Sequence, residues 1–180
     1  MRGFFAAVVL FVSMAAASAQ GMDTNPPAEM KAIDFLLGDY QGPANMHAGP
    51  QTMPSTCTAH AERALNSRFV RSTITYTMDM GGGAKMSIEG MMLLTYDTTA
   101  KNYVGWWYDG TSYKVMHMTG NFEGDKLVLI SDPIDPMVPG GTPQPTRSIW
   151  AKTADGVTFN LDVKNGDKWD PLMDGAFKKV

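Results

Sequence analysis

From Ser55 to Lys178 the chain alternates between apolar and polar positions with a period of two, interrupted by short clusters of glycine, asparagine and aspartate. A period of two sends successive side chains to opposite faces of a strand, so such stretches predict half-buried sheet elements. The clearest case is Lys85–Tyr96: Met86, Ile88, Gly90, Met92, Leu94 and Tyr96 share one face, while Lys85, Ser87 and Glu89 point the other way. Val157, Phe159, Leu161 and Val163 alternate with Thr158, Asn160 and Asp162 in the same manner, one face apolar and one wet. Ser55–Ala64, Arg68–Met80, Asn102–Tyr108, Tyr113–Asn121, Lys126–Ser131, Thr146–Lys152 and Lys168–Lys178 are the other strand candidates in this region. Their junctions carry turn chemistry, most clearly Gly81-Gly82-Gly83, Asp109-Gly110, Asp155-Gly156 and Asn165-Gly166.

Upstream, Phe35-Leu36-Leu37-Gly38-Asp39-Tyr40-Gln41-Gly42 is the stretch around which the rest is organised. The apolar run Ile33–Leu37 is too short for a long helix and predicts a helical turn acting as a plug, with Gly38 as its C-terminal cap. Asp39–Met46 is then the first strand, with Tyr40 facing inward. Gly42–Pro54 contains Pro43, Gly49, Pro50 and Pro54, so most of it is expected to be loop lying over one mouth. Asp132–Pro145 holds five prolines and two glycines and is expected to be a long loop, which in a compact domain is usually functional or mobile. About ten short strands joined by hairpins predict an all-β fold, a single antiparallel up-and-down barrel with a short N-terminal helical plug. Closure removes exposed edges, and a barrel of that size holds its own side chains or one small ligand.

The first residues change the picture of where the domain works. Arg2, the apolar stretch Phe4–Val12 and the small-residue site Ala17-Ser18-Ala19 predict a secretory signal peptide over residues 1–19. A solvated leader, 20–32, and one domain, 33–180, follow, so the expected location is periplasmic or secreted. The net charge of −3 becomes −4 once Arg2 is removed (−3 minus 1), and there is no basic run. That balance argues against nucleic acid and anionic membrane surfaces as partners, and nothing after the signal calls for membrane insertion. The single cysteine, Cys57, permits no internal disulfide; Thr56-Cys57-Thr58-Ala59 is strand-like, has no adjacent cation, and predicts a buried, inert thiol.

The opening Phe35–Gly42 resembles the F-L-x-G-x-W-x-G start of calycin-like, lipocalin-like barrels, with Tyr40 where tryptophan is usual. Tyr96-Asp97, Lys101, Tyr103-Val104 and Trp107-Tyr108-Asp109 are similar to the Y-D…K-x-Y-V…W-x-D run of a bacterial family of unknown function, the one numbered DUF 1579. Arg147, Phe159-Asn160-Leu161, Met173-Asp174 and Phe177-Lys178-Lys179 follow in that family's order, so the resemblance spans about residues 33–179. Gly110 departs from the serine usual in the family after the aspartate. The resemblance implies the barrel and carries no activity or residue roles. Haem-binding relatives of this barrel type need an axial histidine late in the chain; His47, His60 and His117 all lie earlier, so no cofactor is expected.

Methionine is the compositional oddity: of fifteen, Met1 and Met14 fall in the signal, leaving thirteen (15 minus 2). Flexible thioethers fill cores and line adaptable cavities, and with imidazole they also suit Cu(I). Met116-His117-Met118 is the candidate copper motif, but strand alternation puts His117 opposite its neighbours, so no tight metal site is expected. Candidate cavity-lining residues are Tyr40, Arg71, Met86, Met92, Tyr96, Trp107, Met116, Met118, Arg147 and Trp169, the arginines as partners for a ligand carboxylate. The leading expectation is a binding protein for a small, largely apolar ligand. The alternatives are a hydrolase-like or isomerase-like enzyme using His60, Glu62 or His117 with an arginine, a periplasmic copper-binding protein, and an interaction role without a ligand. No nucleophile elbow, phosphate loop, zinc spacing or dinucleotide fingerprint occurs.

Overall fold

Alternating strands bury one face, and their backbone groups need a partner on either side; this chain supplies both by closing its sheet. The computed structural model describes residues 25–111, 114–134 and 142–180, so the expected signal peptide lies outside the described residues. The strands are β1 (Gly38–Ala48), β2 (Gln51–Ala64), β3 (Phe69–Asp79), β4 (Lys85–Asp97) and β5 (Asn102–Asp109), then β6 (Met116–Glu123), β7 (Lys126–Ser131), β8 (Thr146–Lys152), β9 (Gly156–Asn165) and β10 (Lys168–Lys179). Each pairs antiparallel with its neighbour in sequence, and β1 pairs with β10 to close the ring. This is the expected all-β, up-and-down barrel.

One end is sealed by a 3₁₀ helix, Ala28–Leu36, which begins at Ala28 rather than at the expected Ile33 and so takes in the end of the predicted leader. Its buried residues, Met30, Ile33 and Leu36, recur every third position. With three residues per turn they stack along one edge, so a spacing of three selects 3₁₀ over α geometry. The helix carbonyls find side-chain partners from the wall: Tyr103 Oη donates to Glu29 O at 2.7 Å, Tyr40 Oη donates to Phe35 O, and the Arg63 guanidinium donates to Met30 O and the Asp34 carboxylate. Leu37 is already extended, and Gly38 takes φ +115°, a conformation that a side chain would strain.

The Gly42–Pro54 segment corrects the sequence reading, because it is strand rather than loop. β1 runs to Ala48 and β2 starts at Gln51, with only Gly49 and Pro50 between them. Both strand prolines sit where no ladder hydrogen bond is lost. Pro43 lies where β1–β10 pairing lapses between Gln41↔Lys178 and Ala44↔Gly175, and Pro54 precedes the start of β2–β3 pairing at Ser55↔Met78. β6 also starts later than expected, at Met116 rather than Tyr113, which lies outside the described residues. In β10 a bulge between Pro171 and Met173 shifts the register by one. Trp169 and Met173, which simple alternation would put on one face, therefore face opposite sides.

The interior is layered. Val70, Leu94, Leu127 and Leu129 pack with the plug at the sealed end, and Cys57, Ile74, Tyr76, Trp150 and Phe159 lie among the buried core residues. Among the described residues no helix is long and apolar enough to cross a membrane.

Candidate functional site

Above that core the side chains stop short of filling the barrel. A cavity of about 160 Å³ remains towards the end away from the plug, lined by Met46 of β1, Ile88 and Met92 of β4, Trp107 and Asp109 of β5, Met116 and Met118 of β6, and Met173 of β10, over a floor that includes Ile74, Tyr76, Trp150 and Phe159. An apolar cavity of about 150 Å³ is large enough to take benzene.

The wall is shaped by a close approach at Gly90. The six-membered ring of Trp107 lies where a Cβ at Gly90 would stand, only 2.1–2.2 Å from its Cζ2 and Cη2 atoms. Glycine there lets the indole lie flat against β4 instead of projecting across the cavity. Its Nε1 donates to Asp109 Oδ2 at 2.9 Å, which fixes the ring's direction. The other Asp109 oxygen accepts from the Thr111 backbone N–H and hydroxyl at 2.8 and 2.6 Å.

Interior hydroxyls of β7 and β8 are engaged within the wall. Ser148 Oγ donates to Met118 Sδ at 3.8 Å, and Thr146 Oγ1 contacts Ser131 Oγ at 3.0 Å. Tyr76 and Cys57 are paired across β3 and β2. Burial pushes the Cys57 thiol up to about 12 and raises the Tyr76 hydroxyl further still, so neither ionises near neutral pH. The space is therefore apolar, flexible at its thioethers and lined by neutral groups apart from Asp109.

Of the residues singled out from sequence, Met92, Trp107, Met116 and Met118 meet at this cavity. Tyr40 is buried at the plug end and lines a separate space of about 30 Å³ beneath. Tyr96 packs edge-on against Tyr103, 5.1 Å between centroids, in the same sealed half. The remaining four need correcting. Met86 has the predicted facing but sits near the glycine hairpin, 42 % exposed and away from the cavity. Arg71 points outward and pairs with Glu62. Arg147 points outward to Asp162 at 2.7 Å, with its guanidinium 4.7 Å from the centre of the Trp169 ring, which also lies on the outer surface. An arginine on a strand whose other face is apolar keeps its charge in water, and these two follow that rule.

The histidines are all outside as well. His60 Nδ1 lies 2.7 Å from Asp39, His117 Nδ1 3.0 Å from Asp132, and His47 Nε2 2.6 Å from Asp174. The hydrogen bond from His47, helped by one from Asn45, holds the Asp174 carboxyl below its ordinary range. Among the described residues no three His, Cys, Asp or Glu side chains are placed to hold a metal ion.

A family model described as "Protein of unknown function (DUF1579)" matches residues 25–179. The chain belongs to the DUF1579 family. The match runs from the start of the described structure to the end of β10, so plug and barrel together make up the DUF1579 domain, and the closed barrel fits the calycin-like resemblance. No curated protein matches the chain. Met46 and Met173 are cavity residues missing from the candidates drawn from sequence. Met46 was within reach, because an inward Tyr40 makes Ala44 and Met46 inward too; Met173 needed the bulge before it, which Pro171 marks, since a proline inside a strand falls at an edge or a bulge.

Proposed function

We propose that this DUF1579 barrel is an exported binding protein whose cavity takes one small, largely apolar molecule. The observation that carries the reading is the unfilled space of about 160 Å³ inside the barrel, bounded largely by thioethers and aromatic rings. Methionine lining supports it, since unbranched thioethers adapt to a guest at little cost. The outward faces of β2 and β3 carry Thr56, Thr58, His60, Arg71, Thr73 and Thr75, which suits a barrel surrounded by water. The export reading rests on the signal-like residues 1–19 and predicts a mature protein starting near Gln20.

Methionine methyl ¹³C labelling tests the site. Titration with toluene should shift the Met92, Met116, Met118 and Met173 resonances and leave Met30, in the plug itself, in place. Cavity methyls that stay unmoved up to the solubility limit of toluene would end the proposal. Native mass spectrometry of protein purified from its own host then identifies what travels with it.

A further inference from the structure

Resting on that reading of the cavity, we infer that the ligand is a neutral, mainly hydrocarbon molecule bearing one hydrogen-bond acceptor, a carbonyl or ether oxygen, received by Trp150 Nε1. Trp150 belongs to β8 and lines both the cavity and the smaller space beneath it. It is only 7 % exposed, and its Nε1 has no hydrogen-bond partner among the described residues. Its cross-strand partners explain why: Leu127 on β7 and Phe159 on β9 offer hydrocarbon only. The indole is held by stacking on Phe159, 4.2 Å between centroids with 34° between planes.

The other polar groups of the wall differ in this respect. Trp107 Nε1, the Thr111 hydroxyl and Ser148 Oγ all have partners within the protein. A buried donor left without an acceptor is unfavourable, whereas supplying the acceptor on a ligand gains a hydrogen bond in a medium of low dielectric. Nε1 itself is closed off in the unliganded wall, so an acceptor reaches it as neighbouring side chains yield. Charge argues for a neutral acceptor. Arg71 and Arg147 are committed to carboxylates on the outer surface, and among the described residues no basic side chain lines the cavity to receive an anion. Thioethers sharing the cavity are unbranched, so they can yield to let an acceptor reach the indole.

Acetophenone and α-methylstyrene test the inference, because they are nearly isosteric and differ by an oxygen in place of a methylene. Both are titrated into wild-type protein and Trp150→Phe. Loss of one neutral hydrogen bond predicts that the acetophenone/α-methylstyrene Kd ratio rises roughly tenfold in the variant. In wild-type protein the Trp150 indole N–H resonance should move downfield with the ketone and not with the hydrocarbon, a readout that does not depend on the variant folding. If both compounds bind and neither the ratio nor the indole resonance responds to the oxygen, this inference falls while the binding cavity stands. If neither binds wild-type protein, the proposed function falls, and the inference with it.

Discussion

Gly90→Ala tests whether the shape of the cavity is set by one missing side chain. The new methyl would stand 2.1 Å from Trp107 Cζ2, against the roughly 3.5–4.0 Å of an ordinary carbon contact. The indole must therefore retreat by about 1.5 Å, which breaks its 2.9 Å hydrogen bond to Asp109 and drives the ring into the cavity. Overpacking of this kind costs about 1–3 kcal/mol, and the hydrogen bond to a partly exposed carboxylate adds about 1 kcal/mol. Alanine's smaller backbone entropy loss returns about 0.5–1 kcal/mol, for a net destabilisation of about 1–3 kcal/mol. Urea unfolding followed by circular dichroism measures this, and toluene affinity should fall in parallel. The decisive comparison is the same substitution in a Trp107→Leu background, where the steric cause is gone and Gly90→Ala should be neutral or slightly stabilising. Equal destabilisation in both backgrounds, or none in either, would refute the reasoning.

Leu65, Asn66 and Ser67 make a turn with three consecutive positive φ values, 49°, 57° and 63°, and Leu65 is 68 % exposed. Since a left-handed conformation costs a side chain about 1–2 kcal/mol, Leu65→Gly should stabilise by about 1 kcal/mol in thermal unfolding and Leu65→Ala should not; a destabilised glycine variant would count against the strain. Asp174 has its pKa lowered in the folded protein by His47 and Asn45, so its contribution is complete above the unfolded value near about 3.9 and is lost as pH falls through the lower folded value. The stability gap between wild type and Asp174→Asn should accordingly be widest at neutral pH and close in acid, and a gap that does not change with pH would contradict the linkage. Cys57, with its thiol pushed up to about 12, should resist aromatic disulfide reagents at pH 8 in the native state and react once the protein is unfolded in urea; fast native labelling would show that the thiol is accessible.

The strand pattern was readable because half-buried strands write their facing directly into the sequence: Val157–Val163 and Lys85–Tyr96 alternate as they pack. Proline misled at Gly42–Pro54, where breaker content argued for loop. The prolines are harmless there because each falls where its missing N–H has no ladder bond to make, a property of pairing that one strand's sequence cannot show. The same limit applies to the site. Met92, Met116 and Met118 could be placed from their own strands, and so could Arg71, which alternation sets opposite Val70, Ile74 and Tyr76; Arg147 was harder, because its carboxylate partner, Asp162, lies on a neighbouring strand. Whether packed rings leave a void depends on how side chains from opposite strands meet, and that is not a property of any one segment.

The β1–β10 seam has a kinetic consequence. The barrel's other strand–strand joins link sequence neighbours, but this one brings together Tyr40 and Lys179 from the two ends of the domain. Closing a loop of that length costs an entropy that grows as the logarithm of its size, roughly 4 kcal/mol plus a constant, before any seam contact repays it. The seam is also where the ladder lapses opposite Pro43, and it is reinforced by side chains, with Asp174 on β10 gripping Asn45 and His47 on β1. Folding should then proceed as a meander that zips locally and circularises late, with both outer strands exposed as sticky edges until the ends find each other. The helix next to β1 can seat beneath the ring only as that closure happens, which makes the plug a late-arriving lock on a hoop that assembles from its middle outward.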